Sequence, residues 1–215
     1  MKHPPRNYVT KDIDVMFYPE RCTHVAECVN GLPAVFDTSR RPWVKPEHAS
    51  ADEVARVILC CPTGALHFTR KDGGEAEPVP ETNTIRLVAD GPLYVLGRIL
   101  IESPEGDFIM EDTRVALCRC GASKIKPLCD NAHLDIHFKA PGQISASTSE
   151  PAGEKGGLLK IIPLDNGPFH IQGPFVLISE DGKTEVSGTD EWLCRCGLSN
   201  NKPFCDGSHF NQLSG

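Results

Sequence analysis

The sequence predicts an α+β protein, a small N-terminal domain followed by two copies of a β-hairpin that feeds a cysteine-rich loop. Three observations carry that prediction. Residues 91–133 align without a gap on residues 167–209, and 17 of the 43 positions are identical. Within each copy an apolar, β-prone run (93–101 and 169–178) leads through a glycine turn into a second short strand. Two stretches rich in Gly, Pro, Ser and charge, at 70–83 and 139–157, then divide the chain.

Element by element, these signals place a small domain over 1–70, a linker over 71–84 and a first repeat over 85–138. A second linker spans 139–157 and a second repeat 158–215. The turns are SPEGD at 103–107 and SEDGK at 179–183, and LLKIIPL at 158–164 reads as a strand added to the second repeat. A two-stranded hairpin is marginal in water by itself. Two copies on one chain can bury their apolar faces together, so the expectation is an intramolecular pseudo-dimer and a monomeric protein.

Composition narrows the function classes. The chain has 215 residues, 10 cysteines and a net charge of −7, with no dense Lys/Arg block. Nucleic acid and anionic membrane are therefore not the expected partners. No run of about 18 apolar residues exists, and the N-terminus lacks the apolar core of a secretory signal. A cytoplasmic protein beginning near Met1 is the expectation. In a reducing compartment, clustered Cys with His reads as metal binding and not as a disulfide framework.

The cluster occurs twice. LCRCGASKIKPLCDNAH holds Cys118, Cys120, Cys129 and His133, and LCRCGLSNNKPFCDGSH holds Cys194, Cys196, Cys205 and His209 at the same spacing. Alternate side chains of an extended Cys-x-Cys can turn to one metal atom. Cys and His four apart fall on one face of a helical turn. Asp130 and Asp206 stand where a carboxylate accepts N–H bonds at the start of that turn. Pro127 and Pro203 stiffen the loop. Gly121 and Gly197 allow close backbone approach, and their N–H groups, like Ser123 and Ser199, are candidate donors to sulfur. Residue types alone leave zinc and iron–sulfur open.

Both stretches resemble the CDGSH iron–sulfur motif, in which three Cys and one His hold a [2Fe–2S] cluster. The second copy carries the full CDGSH signature, and the first departs from it at Asn131 and Ala132. The resemblance implies two [2Fe–2S] clusters on the eight residues above and the soluble tandem class, with redox or cluster-acceptor proteins as partners. A neutral imidazole among three thiolates should raise the potential, as in Rieske centres. It also supplies a ligand that protonates near physiological pH, so the clusters should weaken in acid.

The N-terminal region carries Cys22 and Cys28, then Cys60-Cys61-Pro62. Counted against the ferredoxin run C-x2-C-x2-C with a distant Cys-Pro, Cys22, Cys28 and Cys61 match and Val25 takes the second ligand position. With its VFD and CPTGAL pieces around a helix at about 50–60, the segment resembles the divergent single-cluster ferredoxin domain. That implies a [3Fe–4S] cluster on Cys22, Cys28 and Cys61, or a [4Fe–4S] cluster if Cys60 or an outside ligand helps; a fold holding no cluster is the alternative. His24, His48 and His67 show no convincing ligand spacing. No phosphate loop, nucleophile elbow or dinucleotide fingerprint is present, so the expectation is a non-enzyme that transfers single electrons or stores and hands on clusters. A zinc-held structural module and a cluster-based sensor are the rivals.

Overall fold

The computed structural model describes residues 4–144 and 156–212. Most of the expected linker at 139–157, the first three residues and the end of the second repeat at 213–215 lie outside the described residues. The chain divides into two compact units, Met1–Pro78 and Val79–Gly215. Strands and helices are both present, as an α+β chain requires.

In the first unit, β1 (Arg6–Tyr8), β2 (Ile13–Phe17) and β3 (Leu66–Arg70) form an antiparallel sheet in that order. Period-2 alternation puts Ile13, Val15 and Phe17 of β2 and Leu66 and Phe68 of β3 on the buried face. A short helix, α1 (Glu27–Gly31), follows Cys22 and carries Cys28. The longer α2 (Ala51–Leu59) buries Val54, Ala55, Val57 and Ile58 in the core with that sheet. Ser50 starts α2 with a capping box: its hydroxyl accepts from the Glu53 N–H at 3.3 Å, and Glu53 accepts from the Ser50 N–H at 3.0 Å.

The second unit is a six-stranded sheet. β4 (Thr84–Leu87), β5 (Leu93–Glu102) and β6 (Phe108–Leu117) precede the first cysteine loop, which ends in the short helix α3 (Ala132–Asp135). β7 (Leu158–Pro163), β8 (Phe169–Ile178) and β9 (Glu185–Leu193) precede the second, which ends in a 3-10 turn at Ser208–Gln212. β5–β6 and β8–β9 are the two expected hairpins. The strand β4 was not expected; its first residue, Thr84, falls inside the stretch read as linker, because four residues are too short for a periodic signal.

β7 pairs antiparallel with β8 of its own repeat and parallel with β5 of the other, while β4 pairs antiparallel with β5 and parallel with β8. The two sets of pairings share one register. Thr84 faces Leu96 and Val176, and Lys160 faces Gln172 and Leu100. Each central strand can serve two partners because it bends at a glycine. At Gly97 (φ 153°) a Cβ would sit 2.1 Å from Asn83 Oδ1, and at Gly173 (φ 101°) 2.1 Å from the Leu158 carbonyl oxygen. Asn83, 1 % exposed, holds this crossing: its amide donates to Pro174 O (2.8 Å) and Gly157 O (3.2 Å), and its oxygen accepts from the Arg98 N–H (2.9 Å).

Both repeats contribute to one core. Ile85, Leu93, Val95, Ile99 and Leu117 are buried with Ile161, Phe169, Ile171, Phe175 and Leu193, their counterparts one repeat later. That core runs on into each cysteine loop through Leu128 and Phe204.

Candidate metal centres

Each cysteine loop is anchored to the end of its hairpin by backbone bonds. The Cys118 N–H donates to Pro127 O (3.0 Å) and the Cys129 N–H to Ala116 O (2.9 Å); in the second repeat the Cys194 N–H donates to Pro203 O (2.7 Å) and the Cys205 N–H to Trp192 O (2.8 Å). The Lys126–Pro127 and Lys202–Pro203 peptides are both cis. The Ser123 and Ser199 hydroxyls donate to Leu128 O and Phe204 O, each at 2.6 Å. Those hydroxyl bonds hold the loop closed, and it is the Ser123 backbone N–H that serves a sulfur, that of Cys118.

Asp130 and Asp206 do what their positions predict. Asp130 accepts from the Lys124 and Ala132 N–H groups at 2.8 and 3.0 Å, and Asp206 from the Asn200 and Ser208 N–H groups at the same distances. Burial alone would raise the Asp130 carboxyl, but those N–H donors outweigh it and hold it low. The Asp206 carboxyl is held well below the carboxylate range by the Ser208 hydroxyl and then by the two backbone donors.

The turn that brings in each histidine differs from the expected single helical turn. Cys129 precedes α3, and the chain enters the helix through Asn131 in a left-handed conformation (φ 69°). Gly207 has φ 83° at the matching place. Asn and Gly are the residues that adopt this region most readily, so Asn131 keeps the turn where the signature has Gly.

The donors come together in pairs. Cys118 and Cys120 sulfurs are 3.6 Å apart, and Cys129 Sγ is 3.5 Å from His133 Nδ1. In the second motif Cys194–Cys196 is 3.8 Å and Cys205 Sγ–His209 Nδ1 is 3.4 Å. A tetrahedral metal with bonds of about 2.3 Å to sulfur and about 2.0 Å to nitrogen has edges of about 3.8 Å (S–S) and about 3.5 Å (S–N). Each pair therefore matches one edge of one metal. Among the described residues no group of three or more His, Cys, Asp or Glu gathers at ion-binding distance.

Electrostatics lower one thiol, Cys118, and raise four others, Cys120 among them through its bond to Cys118. Cys118 is drawn below its ordinary thiol value by the hydrogen bond from Cys120, against burial, with further help from the Ser123, Cys120 and Gly121 N–H groups. Burial pushes Cys129 up to about 11 and raises Cys196 and Cys205, so those thiols keep their protons until a cation displaces them. Burial lowers His133, which favours the neutral imidazole that a metal binds.

The two loops touch. A Cβ on Gly121 (φ 80°) would lie 2.8 Å from the Cys196 carbonyl oxygen, and one on Gly197 would lie 3.1 Å from that of Cys120. Cys120, Gly121 and Lys126 line a hollow of about 350 Å³ with Arg195, Cys196 and His209 of the other repeat. Arg119 and Arg195, the residues between the paired cysteines, turn back into the fold. The Arg119 side chain donates to the carbonyls of Gly91 (2.7 Å) and Val88, and that of Arg195 to those of Gly167 (3.1 Å) and Leu164. Burial lowers the Arg119 guanidinium to about 10, an effect opposed by Cys194 of the other motif; Arg195, lowered the same way, feels Asp165 first, then Cys118 of the other motif and Cys196 of its own.

In the N-terminal unit, Cys22, Cys28 and Cys61 border one cavity of about 30 Å³. Burial raises the Cys22 thiol and pushes Cys28 up to about 11, and Cys61 lies close enough to raise both further. Cys60 is exposed, and its thiol donates to the Arg56 carbonyl at 3.5 Å. His24, set aside on spacing, lines the cavity with its Nδ1 3.9 Å from Cys22 Sγ. His48 bonds to the Ala34 carbonyl and His67 to Glu77, away from the cysteines.

Comparison with known proteins matches these regions one by one. Residues 8–71 match the model of a divergent 4Fe-4S mono-cluster family, and residues 90–134 and 166–210 each match the iron-binding zinc finger of CDGSH type. The N-terminal region is also similar to the uncharacterized protein YjdI of Escherichia coli, in strain K12 and in O157:H7. Each is 38 % identical over 66 residues, 31 % of this chain and 87 % of the relative. No solved structure matches the chain.

Proposed function

Since the chain belongs to the CDGSH-type iron-binding family, twice over and behind a divergent 4Fe-4S mono-cluster domain, we propose that it is a carrier of two [2Fe–2S] clusters that moves single electrons or hands clusters on. The ligands are Cys118, Cys120, Cys129 and His133 for one cluster and Cys194, Cys196, Cys205 and His209 for the other. The observation that carries this reading is the grouping of each donor set into two pairs at tetrahedral-edge distance, 3.6 and 3.5 Å in one motif and 3.8 and 3.4 Å in the other. A two-iron cluster needs two donors per iron, whereas one structural zinc draws all four donors to a common centre.

The group supplies one-electron chemistry when bound; the protein supplies its setting. Backbone donors and Asp130 or Asp206 fix each loop, and burial keeps water from most of the ligand atoms. The touching loops hold the two sites side by side, a short path between them. The matched registers, with β4 and β7 each serving both repeats, support an intramolecular counterpart of a two-fold dimer and so a monomer. We read the protein as a cytoplasmic non-enzyme whose partners are redox or cluster-acceptor proteins.

An anaerobic reductive titration followed by absorbance tests the reading. The tandem module should be coloured and take up about two electrons, one per two-iron centre. A colourless protein that takes up none is the zinc-held structural module.

A further inference from the structure

We propose that the two motifs divide their labour. The second (Cys194, Cys196, Cys205 and His209) hands its [2Fe–2S] cluster to an acceptor protein, while the first (Cys118, Cys120, Cys129 and His133), sealed by Phe138 and Ala140, retains its own. The proposal rests on the two-cluster reading above and assigns the hand-over to one site.

The two donor sets match in spacing but not in burial. Cys118, Cys120 and Cys129 are all buried, at 1, 8 and 3 % exposed, whereas Cys196 and Cys205 are half-buried. The segment just after α3 covers the first set. Phe138 and Ala140 form a buried apolar cluster with Cys118 and Cys120, and Ala122 packs against it. Among the described residues the cysteines of the second set belong to no such cluster.

Asp90 fastens this cover. Its carboxylate accepts from the Ala140 N–H at 2.9 Å and pairs with Lys139 Nζ at 2.7 Å, and its own N–H donates to the Ala140 carbonyl at 2.9 Å. The Arg119 guanidinium stands over the Phe138 ring, 5.7 Å from its centre. One repeat later, Asn166 takes the place of Asp90 and lines the hollow of about 350 Å³. Cys196 and His209 line the hollow with it, so two ligands of the second set border that space, against Cys120 alone of the first. An apolar shell controls access of water and competing ligands to the metal it surrounds, so exchange is slow where the shell is closed. No electrons move in the hand-over. Four iron–ligand bonds to the second motif break and four to acceptor thiolates form; three of the acceptor's thiol protons end on Cys194, Cys196 and Cys205, and the fourth goes to water.

The test mixes the loaded full chain anaerobically with an excess of apo plant-type ferredoxin, whose four cysteines take up one [2Fe–2S] cluster. The readout is the number of clusters the ferredoxin gains per chain over time. The wild type should give up about one cluster fast and the other about tenfold more slowly. Cys129→Ala, which disables the first site, should keep only the fast phase, and Cys205→Ala only the slow one. Phe138→Ala leaves both ligand sets intact, so it reads the cover even where a ligand variant fails to fold. Its slow phase should quicken by about tenfold while its fast phase stays at the wild-type rate. The proposal is overturned by a coloured wild type that gives up both clusters at one rate or neither at all, by a fast phase that survives Cys205→Ala, or by a Phe138→Ala slow phase unchanged from wild type. Each of these leaves the two-cluster reading standing. A colourless protein overturns that reading and this proposal with it.

Discussion

Gly121 of the first motif lies against Cys196 of the second, so close that a Cβ on Gly121 would fall 2.8 Å from the Cys196 carbonyl oxygen. The obstacle is backbone, which cannot swing aside as a long side chain can. Gly121→Ala should therefore separate the loops and strain a left-handed residue, costing about 1–3 kcal/mol. Denaturant unfolding of the loaded protein measures the cost, and the rate of colour loss should rise with it.

The matching left-handed positions, Asn131 and Gly207, make opposite predictions for similar substitutions. Asn131→Gly should leave stability nearly unchanged, because both residues accept φ near 69°. Gly207→Val should destabilise the second motif by about 1–2 kcal/mol and speed loss of its cluster alone. Biphasic bleaching, with one phase accelerated, is the expected record.

Asp206 sets an acid sensitivity whose sign follows from its low carboxyl. The folded value lies below the unfolded value of about 3.9, so the stabilisation is fully present above that pH and is lost as pH falls through the folded value. Asp206→Asn should be less stable than wild type at neutral pH, with the gap narrowing steadily below about pH 4. Ser208→Ala, which leaves the second motif with the Ala found at 132, should raise the Asp206 carboxyl. NMR titration of its side chain checks this.

Asn83 joins the β4–β5 pair to β8 with three hydrogen bonds from a site 1 % exposed. Asn83→Ala leaves buried backbone groups without partners and should cost about 2–4 kcal/mol. Asn83→Asp, retaining one acceptor, should recover only part of that. Thermal melts of both variants decide it.

Much of this was legible in the sequence because repetition doubles every signal. The first strand of each hairpin, 93–102 and 169–178, the turn after it and the repeated Cys and His spacing follow from an ungapped alignment of the chain with itself. The exchange of β4 and β7 between repeats was not legible, since a strand's partners are set by distant residues and Thr84–Leu87 is too short to announce itself. That the Ser123 and Ser199 hydroxyls bond carbonyls was not legible, because a loop motif does not reveal which acceptor is nearer. That His24 borders the cysteine cavity was not legible, because ligand spacing is counted along the chain. Left-handed residues at 24 and 26 make that count a poor guide to distance. The strain itself leaves no mark in the residue types.

The most direct measurement is iron, zinc and acid-labile sulfide per chain in a Cys22→Ser/Cys28→Ser/Cys61→Ser variant purified anaerobically, which isolates the contribution of the two repeats. The account predicts about four iron, about four sulfide and no zinc. About two zinc with no sulfide, unchanged after growth in iron-rich medium, would contradict it and make each Cys3His set a structural zinc site.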